Sequence, residues 1–218
     1  MTVNDILNLV IPLEFGSDED GEETSSMEKV YDQLNESVET AYGASKFVIF
    51  LNKDEVIKIP FNGCYWYNYD EKGDCDICFE HFMNEDYCAT EEEVYEKAVY
   101  EGLEKFFAST KFCGRSKNGV PVYISERVYT FYSNEEAREK TDDFSDNSLE
   151  IAKELKSKVP TRLSQEWVAR AIEYYGDELV KKLFNFIDKE DISDLHMENV
   201  GFRRNGAPVI LDYSSYRE

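Results

Sequence analysis

Short hydrophobic runs bounded by polar residues predict strands in the first half of the chain. Residues 46–51 and 56–60 are β-branched and aromatic runs around a short polar connection, which predicts an antiparallel hairpin. A further strand is predicted at 120–128, after the turn-like residues 116–119. Residues 61–89 are rich in aromatic, acidic and cysteine side chains, and we interpret them as an irregular insertion.

Helical spacing of hydrophobic residues predicts four helices. They are predicted to begin near Ser25 or Ser26, at Thr90, near Leu149 and at Gln165, and the last two run to Lys158 and Ile187. Glu93 follows Thr90 at the spacing of a capping box. Near the C-terminus, two short hydrophobic runs flank residues 203–206, which predicts a hairpin. This order of elements predicts an α+β chain of two lobes.

These elements divide the chain into three predicted segments. Residues 1–40 form an N-terminal helical extension, whose acidic residues 16–23 are interpreted as a solvated linker. Residues 41–128 form a strand-rich lobe that includes the insertion at 61–89. Residues 129–218 form a helical lobe that ends in the hairpin.

The net charge limits the classes of partner. The chain of 218 residues has 24 Lys and Arg and 46 Asp and Glu, a formal charge of 24 − 46 = −22. This charge opposes direct binding to nucleic acid or anionic lipid, but it permits a basic protein partner or mimicry of nucleic acid. No hydrophobic run approaches the ~18 residues of a membrane span, and no secretory signal is visible. We therefore expect a cytoplasmic protein with no membrane partner.

Three polar residues near the C-terminus are the strongest candidates for a chemical site. Asp194 and Asn199 are five residues apart, and Asp212 follows thirteen residues later across the predicted hairpin. Two acids and an amide brought together would suit a hard cation, because Mg²⁺ binds one or two carboxylates together with phosphate and water oxygens. Loop acids and a turn asparagine without any ligand are the simpler alternative.

The motifs around these residues resemble those of the protein-kinase-like superfamily. Residues 194–199, Asp-Leu-His-Met-Glu-Asn, are similar to its Asp-x-x-x-x-Asn catalytic loop, in the form typical of aminoglycoside and choline kinase-type phosphotransferases. Residues 211–214 resemble the metal-binding Asp-Phe-Gly element, and residues 56–60 resemble the third strand with its phosphate-contacting lysine. The helix from Thr90 resembles the αC helix, and residues 121–128 resemble the strand that enters the hinge.

The resemblance implies a protein-kinase-like two-lobed fold, with an N-terminal β-sheet lobe and a helical C-terminal lobe. Only six residues follow Asp212, so we expect a helical lobe truncated after the metal-binding hairpin. The chain also departs from the family at residues 192–193, where His-Arg is usual, and at Ser214, where glycine is usual. The retained ionic residues favour nucleotide binding, whereas the truncation argues against efficient protein phosphorylation.

The resemblance also implies a role for each candidate residue. Asp194 would be the catalytic base toward an acceptor hydroxyl, and Asn199 and Asp212 would hold Mg²⁺ against the phosphates of ATP. The nucleotide would contact Lys58 at its phosphates, the turn at Gly43, and backbone groups near Glu126 and Val128.

Lys58 has two interpretations. In the kinase-like interpretation its partner is Glu91 or Glu96 on the following helix, and helical phase does not distinguish between them. Without the resemblance, a lysine between Ile57 and Ile59 is interpreted as an exposed residue of an edge strand.

The cysteines form a competing candidate site. Cys75 and Cys78 form a Cys-x-x-Cys pair, and Cys64, His81 or Cys88 would complete a tetrahedral zinc site. The spacing of this second half is irregular, so free thiols are the favoured interpretation. The odd total of five cysteines argues against a disulfide framework.

Two hypotheses for function follow from the sequence. The first is a kinase-like protein that binds ATP and Mg²⁺, with phosphate transfer to an acceptor as an extension of that activity. The second is a non-catalytic, pseudokinase-like protein that uses an acidic surface to bind or block a partner, as a nucleic-acid mimic from a phage-like mobile element would. The distribution of the acidic residues over the surface distinguishes the two hypotheses.

Overall fold

The computed structural model describes residues 1–18, 20, 22–43, 45–81, 86–130, 145–159 and 161–214. Among the described elements, more strand residues lie in the N-terminal half and more helical residues lie in the C-terminal half, which confirms the α+β class. The chain forms two compact units, Met1–Ala89 with Thr110–Glu126 and Thr90–Ser109 with Arg127–Glu218. Within the described residues, every helix is too short or too polar to cross a membrane.

In its described residues, the first unit contains two short helices, the start of a third and eight strands. They are α1 (Val3–Leu7), α2 (Ser25–Tyr31), the first turn of α3 (Tyr87–Glu101), β1 (Gly16–Asp18), β2 (Thr40–Tyr42), β3 (Lys46–Phe50), β4 (Glu55–Pro60), β5 (Gly63–Tyr69), β6 (Cys75–His81), β7 (Thr110–Arg115) and β8 (Pro121–Glu126). A five-stranded antiparallel sheet has the order β2-β3-β4-β8-β7, and a smaller sheet has the order β1-β5-β6.

The larger sheet confirms the predicted hairpin at residues 46–60. β3 and β4 pair antiparallel with Val48 opposite Lys58, and β8 corresponds to the strand predicted at 120–128. β7 has no counterpart among the predicted strands. One face of the sheet buries Phe47, Ile49, Ile57, Ile59 and Val122. The core of the first unit forms on that face.

The N-terminal residues complete this core. Ile6, Ile11 and Phe15 are fully buried, together with Met27 and Val30 of α2. Burial of each side chain of this size contributes about 1.5–3 kcal/mol. The N-terminal segment, residues 1–40, was predicted as separate from the sheet, but it shares one core with it.

Three side-chain amides hold the extended segment at residues 10–15, and we call them the amide clamps. Each clamp accepts a hydrogen bond from a backbone N–H of the segment and donates one to a backbone carbonyl. The pairs are Gln33 with Val10, Asn118 with Ile11, and Asn62 with Phe15 and Leu13. Pro12 has no N–H and cannot continue a strand ladder, so side chains satisfy backbone groups that a neighbouring strand would otherwise satisfy.

Two segments interpreted as irregular or solvated contain strands. β5 and β6 lie within residues 61–89 and form a hairpin in which Tyr65 is opposite Phe79. β1 lies at the start of residues 16–23, pairs in parallel with β5 and buries its first two residues. The interpretation of residues 61–89 as irregular was wrong, because the alternation of aromatic residues along β5 has the period of a strand and acidic neighbours concealed it. The interpretation of residues 16–23 was wrong for the three residues of β1.

The second unit is mainly helical. It contains the rest of α3, a 3₁₀ turn (Glu104–Phe106), β9 (Tyr129–Thr130), α4 (Asp146–Lys158), α5 (Gln165–Tyr175), α6 (Asp177–Lys189), a second 3₁₀ turn (Met197–Asn199), β10 (Val200–Phe202) and β11 (Pro208–Ile210). The last two strands confirm the predicted terminal hairpin, and β9 pairs with β10 to give the order β11-β10-β9. Trp167, Phe184 and Phe186 are among the largest side chains of the core.

The helix boundaries differ from the prediction in two places. α3 begins at Tyr87 rather than Thr90, and Asp86 Oδ1 accepts a hydrogen bond from Ala89 N at 3.0 Å, so the predicted Thr90 cap was wrong. The helix predicted at 165–187 is divided into α5 and α6 at Gly176, which has φ of 88°. Glycine adopts this left-handed geometry without a side-chain clash, so it ends one helix and begins the next.

A group of ion pairs joins α3 to the end of α6 within the second unit. Lys97 Nζ lies 2.9 Å from Glu93 and 2.8 Å from Glu190, and Lys189 Nζ lies 2.7 Å from Glu101. The hydrogen bond from Lys97 lowers the pKa of Glu190 below its ordinary value of 4.5. Glu93, predicted as a capping residue, instead pairs with Lys97.

Loss of one amide clamp should destabilise the protein. Asn118→Ala leaves the N–H and carbonyl of buried Ile11 without these partners, and we expect the free energy of unfolding to fall by about 1–3 kcal/mol. Urea denaturation measures the change. The control is Asn68→Ala, which removes an exposed asparagine of the same unit and should change stability by less than about 0.5 kcal/mol. Equal effects of the two substitutions would contradict a specific role of the clamp.

Loss of Glu190 should destabilise the protein in a pH-dependent manner. Because the folded-state pKa is lowered, this carboxylate stabilises the fold above its unfolded value of 4.5, and the effect is lost as pH falls through the folded value. In urea denaturation, Glu190→Gln should cost about 1 kcal/mol at pH 7, and this cost should disappear as the pH falls through the lowered folded-state pKa. Glu178→Gln breaks an exposed pair with Lys181 and is the control, with an expected cost below about 0.5 kcal/mol.

Candidate functional site

The candidate site begins where α6 ends, at a residue in the left-handed region. Asp191 has φ of 53°, the one non-glycine residue with positive φ in the part of the chain that the structure describes. Ile192 N donates to Ile187 O at 3.0 Å, and Asp191 N donates to Asp188 O at 3.3 Å. This pair of bonds is the Schellman pattern. It turns the chain from the helix into the loop at residues 192–199.

Alternating burial fixes the position of this loop. Ile192 and Leu195 are buried in the core of the second unit, whereas Asp194 between them is partly exposed. His196 Nδ1 accepts a hydrogen bond from Glu198 N at 3.3 Å and caps the second 3₁₀ turn. Since Nδ1 accepts, the neutral imidazole carries its proton on Nε2. His196 therefore shapes the loop through its backbone contact.

Asn199 joins the two other members of the predicted site. Its side chain Nδ2 donates to the backbone carbonyl of Asp194 at 2.7 Å. Its own backbone carbonyl accepts from Leu211 N at 2.9 Å and from Asp212 N at 3.4 Å. The residues that the sequence placed five and thirteen positions apart are thus brought together by the side chain and the carbonyl of one asparagine.

Asp212 is fixed by the residue two positions later. Its Oδ1 accepts from Ser214 Oγ at 3.0 Å and from Ser214 N at 3.4 Å. This is the local turn that aspartate forms with a following backbone N–H. Ser214, which departs from the glycine of the resembling motif, therefore orients the Asp212 carboxylate.

Two cationic or polar groups face Asp194. Arg162 Nη1 lies 3.9 Å and His196 Nε2 lies 3.8 Å from Asp194 Oδ1. Both distances exceed those of hydrogen bonds, so the contacts are electrostatic and leave the carboxylate able to accept a proton from another group. Arg162 itself is largely exposed.

The hairpin that carries Asp212 is anchored to the segment after α3. Tyr213 Oη donates to Ala108 O at 2.6 Å, and Ala108 N donates to Ile210 O at 2.7 Å. On the other strand, Gly201 lies against β9, where an added Cβ would be 2.3 Å from the carbonyl oxygen of Tyr129. A side chain at this position would separate β9 from β10.

The donor set of the site suits magnesium better than a softer metal. The described residues contain no group of three or more His, Cys, Asp and Glu side chains arranged for a metal ion. Asn199 and Asp212 offer one amide and one carboxylate, and Mg²⁺ is commonly bound by one or two carboxylates with phosphate and water supplying the other oxygens. The residues present therefore fit a magnesium ion that arrives with a phosphate ligand.

Lys58 lies in the first unit and is buried. Its strand, β4, is central in the sheet, with β3 on one side and β8 on the other, and Lys58 is only 5% exposed. The interpretation as an exposed edge-strand lysine was wrong. The strand that covers β4 on its second side, β8, lies far along the chain, and hydrophobic pattern does not reveal such a pairing.

The two helix glutamates differ in burial. Glu91 is fully buried, whereas Glu96 is exposed. A buried carboxylate requires an ion pair or hydrogen bonds, so Glu91 is the better candidate for the helix glutamate of the kinase-like motif. Helical phase alone did not distinguish the two residues.

The other predicted nucleotide contacts are divided between the units. Gly43 is exposed in the turn between β2 and β3, and its N–H donates to Lys46 O at 3.1 Å. Glu126 ends β8 opposite Glu55 in the first unit. Val128 precedes β9 in the second unit and is partly buried.

The cysteines of the candidate zinc site do not share one surface. Cys75 and Cys78 both lie in β6, three residues apart, so their side chains point to opposite faces. Cys64 of β5 is opposite Glu80 of β6, which is two residues from Cys78, so Cys64 and Cys78 lie on the same face. Cys88 is buried in α3. A Cys-x-x-Cys pair converges on one ion in a turn but not in an extended strand.

Two residues near the site were not found by sequence reasoning. Arg162 lies 32 positions before Asp194 and no local motif marks it. Asp191 adopts a conformation that usually indicates glycine, so its sequence gives no signal of the turn. Ser214 could be recognised, since Asp-x-Ser is a common local hydrogen-bonding pattern.

Neither a scan of protein-family models nor a search of curated proteins finds a match to this chain. The kinase-like interpretation therefore rests on the motifs and on the geometry of the residues that form them.

Relief of the backbone conformation at Asp191 should stabilise the protein. Asp191→Gly removes the steric cost of positive φ at an exposed position, and we expect a gain of about 0.5–1 kcal/mol in the free energy of unfolding. The matched control is Asp188→Gly, which places glycine inside α6 and should cost about 0.5–1 kcal/mol. Thermal unfolding measures both changes, and a loss of stability in Asp191→Gly would contradict the assigned conformation.

Proposed function

We propose that this protein binds a complex of Mg²⁺ with a nucleoside triphosphate, as kinase-like phosphotransferases do. The observation that carries the proposal is the hydrogen bonding of Asn199, whose side chain holds Asp194 and whose carbonyl holds the backbone of Asp212. In protein kinases, an Asp-x-x-x-x-Asn loop followed by a second aspartate positions a catalytic base beside metal-bound phosphates.

The order of elements along the chain supports the same proposal. Lys58 lies on the third of the five strands of the larger sheet, α3 with buried Glu91 follows, and β7 and β8 come afterwards. Kinases place the phosphate-contacting lysine on the third strand and its glutamate on the next helix. Lys58 is proposed to contact the phosphates, and Gly43 and the backbone near Glu126 and Val128 the remainder of the nucleotide.

The side chains have distinct proposed tasks in phosphoryl transfer. A bound magnesium ion would supply charge stabilisation at the phosphates, and Asn199 and Asp212 would hold it there. Ser214 fixes the Asp212 carboxylate through two hydrogen bonds. Asp194 accepts the proton of an acceptor hydroxyl, and its geometry is set by Asn199 on the backbone side and by the nearby Arg162 and His196.

Nucleotide binding should stabilise the protein against heat. With a non-hydrolysable ATP analogue and Mg²⁺ at ten times the dissociation constant, the gain is about 1.4 kcal/mol, or about 3–6 °C in Tm for a chain of this size. Differential scanning fluorimetry measures the shift, with the analogue alone and Mg²⁺ alone as references. An unchanged Tm across millimolar concentrations of the complex would refute nucleotide binding.

Matched variants test the assigned residues. Lys58→Met and Asp212→Asn should each abolish most of the shift, whereas the exposed control substitutions Lys153→Met and Asp188→Asn should retain it. Asp194→Asn should bind the nucleotide but form no ADP in the presence of an acceptor hydroxyl, because the γ-phosphoryl group is not transferred to that hydroxyl. If Asp194→Asn binds and all variants lack phosphate transfer, including the unmodified protein, the chain binds nucleotide without catalysis.

A further inference from the structure

The β5–β6 hairpin has one continuous hydrophobic face. The register places Tyr65 opposite Phe79, Tyr67 opposite Ile77, and Tyr69 opposite Cys75, so all six side chains share a face. Near β1, this face is packed, with the rings of Tyr65 and Phe79 4.5 Å apart and Tyr65 Oη donating to Glu14 O at 3.0 Å. Toward the turn it becomes exposed.

The exposed half of this face is unusually hydrophobic for a surface in contact with water. Tyr69 and Ile77 are each 66% exposed and Tyr67 is 43% exposed. Scattered single hydrophobic residues need no explanation, but adjacent ones on a regular strand pair often mark a contact surface. Tyrosine in particular is enriched where proteins bind other proteins.

The opposite face and the turn of the hairpin are acidic. Residues 63–80 contain five acids, Asp70, Glu71, Asp74, Asp76 and Glu80, and one base, Lys72, a net charge of 1 − 5 = −4. Asp76 and Glu80 alternate with the hydrophobic residues along β6, because Asp76, Cys78 and Glu80 share the face opposite Cys75, Ile77 and Phe79. β6 therefore presents acids on one face and hydrophobic side chains on the other.

β6 is also an edge strand. In the sheet β1-β5-β6 its one strand neighbour among the described strands is β5. Proteins protect edge strands with charged side chains, proline, bulges or short length. β6 has seven residues, contains no Pro and pairs with β5 without a register shift, and its charged side chains, Asp76 and Glu80, are acidic. They oppose an acidic strand but not a basic one. The backbone of β6 is suited to accept an additional strand.

We propose that β6 binds an extended basic segment of a protein partner, which adds to the sheet as a fourth strand. The segment alternates hydrophobic and basic residues. Its Arg or Lys side chains lie opposite Asp76 and Glu80, and its hydrophobic side chains lie opposite Ile77 and Phe79.

Charge selects this occupant over a second copy of the chain. Two β6 strands paired edge to edge would bring Asp76 and Glu80 of both copies together, and like charges on adjacent strands are destabilising. Each copy also carries a net charge of −22, which opposes self-association and attracts a basic partner. This surface lies within the first unit and does not depend on nucleotide binding by the protein.

Two labelled peptides of equal charge test the proposal on the full-length chain. One peptide alternates, Val-Arg-Val-Arg-Val-Arg-Val, and the other has the same composition in blocks, Val-Val-Val-Val-Arg-Arg-Arg. Fluorescence anisotropy should show binding of the alternating peptide at least about fivefold tighter, because only alternation matches both faces of β6. Equal affinity for both peptides would reduce the effect to general charge attraction and overturn the proposal.

Matched variants locate the binding surface. Asp76→Asn with Glu80→Gln should weaken binding of the alternating peptide about fivefold or more, whereas Glu71→Gln with Asp74→Asn removes the same charge from the turn and should weaken it less than about twofold. Ile77→Thr keeps a β-branched residue but removes hydrophobic contact, and it should weaken binding, whereas Tyr100→Thr on α3 should not. Equal losses in test and control variants would overturn the proposal.

A measurement on the unmodified protein is independent of how the variants fold. Addition of the alternating peptide should shift the amide resonances of residues 75–81 in NMR spectra more than those of β7, the edge strand of the other sheet. Shifts concentrated elsewhere would contradict binding at β6. A dimer in analytical ultracentrifugation that Ile77→Thr dissociates would assign the edge to a second copy instead and would also overturn the proposal.

Discussion

The geometry of the candidate site depends on the hydrogen bonds of one residue, Asn199. Its side chain fixes the backbone at Asp194, and its carbonyl fixes the start of the turn that carries Asp212. The two aspartates come from a loop after a helix and from the turn that follows the far strand of a hairpin, so no local interaction would otherwise coordinate them. The surrounding structure reinforces this arrangement, since Leu195 is buried in the core and Tyr213 is tied to Ala108.

Local patterns predicted the parts of the fold in which neighbouring residues determine the outcome. The β3–β4 and β10–β11 hairpins, each with polar turn residues between short hydrophobic runs, were predicted correctly. The proximity of Asp194, Asn199 and Asp212 was also predicted, because a local hairpin brings these residues together. The errors occurred where several local signals competed: Asp86 rather than Thr90 caps α3, and Gly176 divides what hydrophobic spacing presented as one helix.

Long-range pairing determined what the sequence could not predict. Lys58 is buried because β8 pairs with the second side of β4. The hydrophobic run at residues 56–60 does not indicate which strand will pair with it. Glu91 and Glu96 have similar hydrophobic neighbours, and only the tertiary environment buries one of them. The amide clamps were also not predictable, because Asn62 and Asn118 are far in sequence from the N-terminal segment that they bind. No local pattern distinguishes them from other asparagines in turns.

The amide clamps also fix the register of the N-terminal segment, that is, which of its residues lies against each side-chain amide. They require N–H groups at Val10, Ile11 and Phe15, and the single residue that lacks one, Pro12, occupies a position where no clamp requires it. A shift that moves Pro12 into the position of Ile11 would place a nitrogen without a hydrogen at the Asn118 clamp, and a shift in either direction would displace side chains that are now buried. The first unit therefore recognises its own N-terminal segment as a receptor recognises a peptide, by sequence position as well as by hydrophobic content.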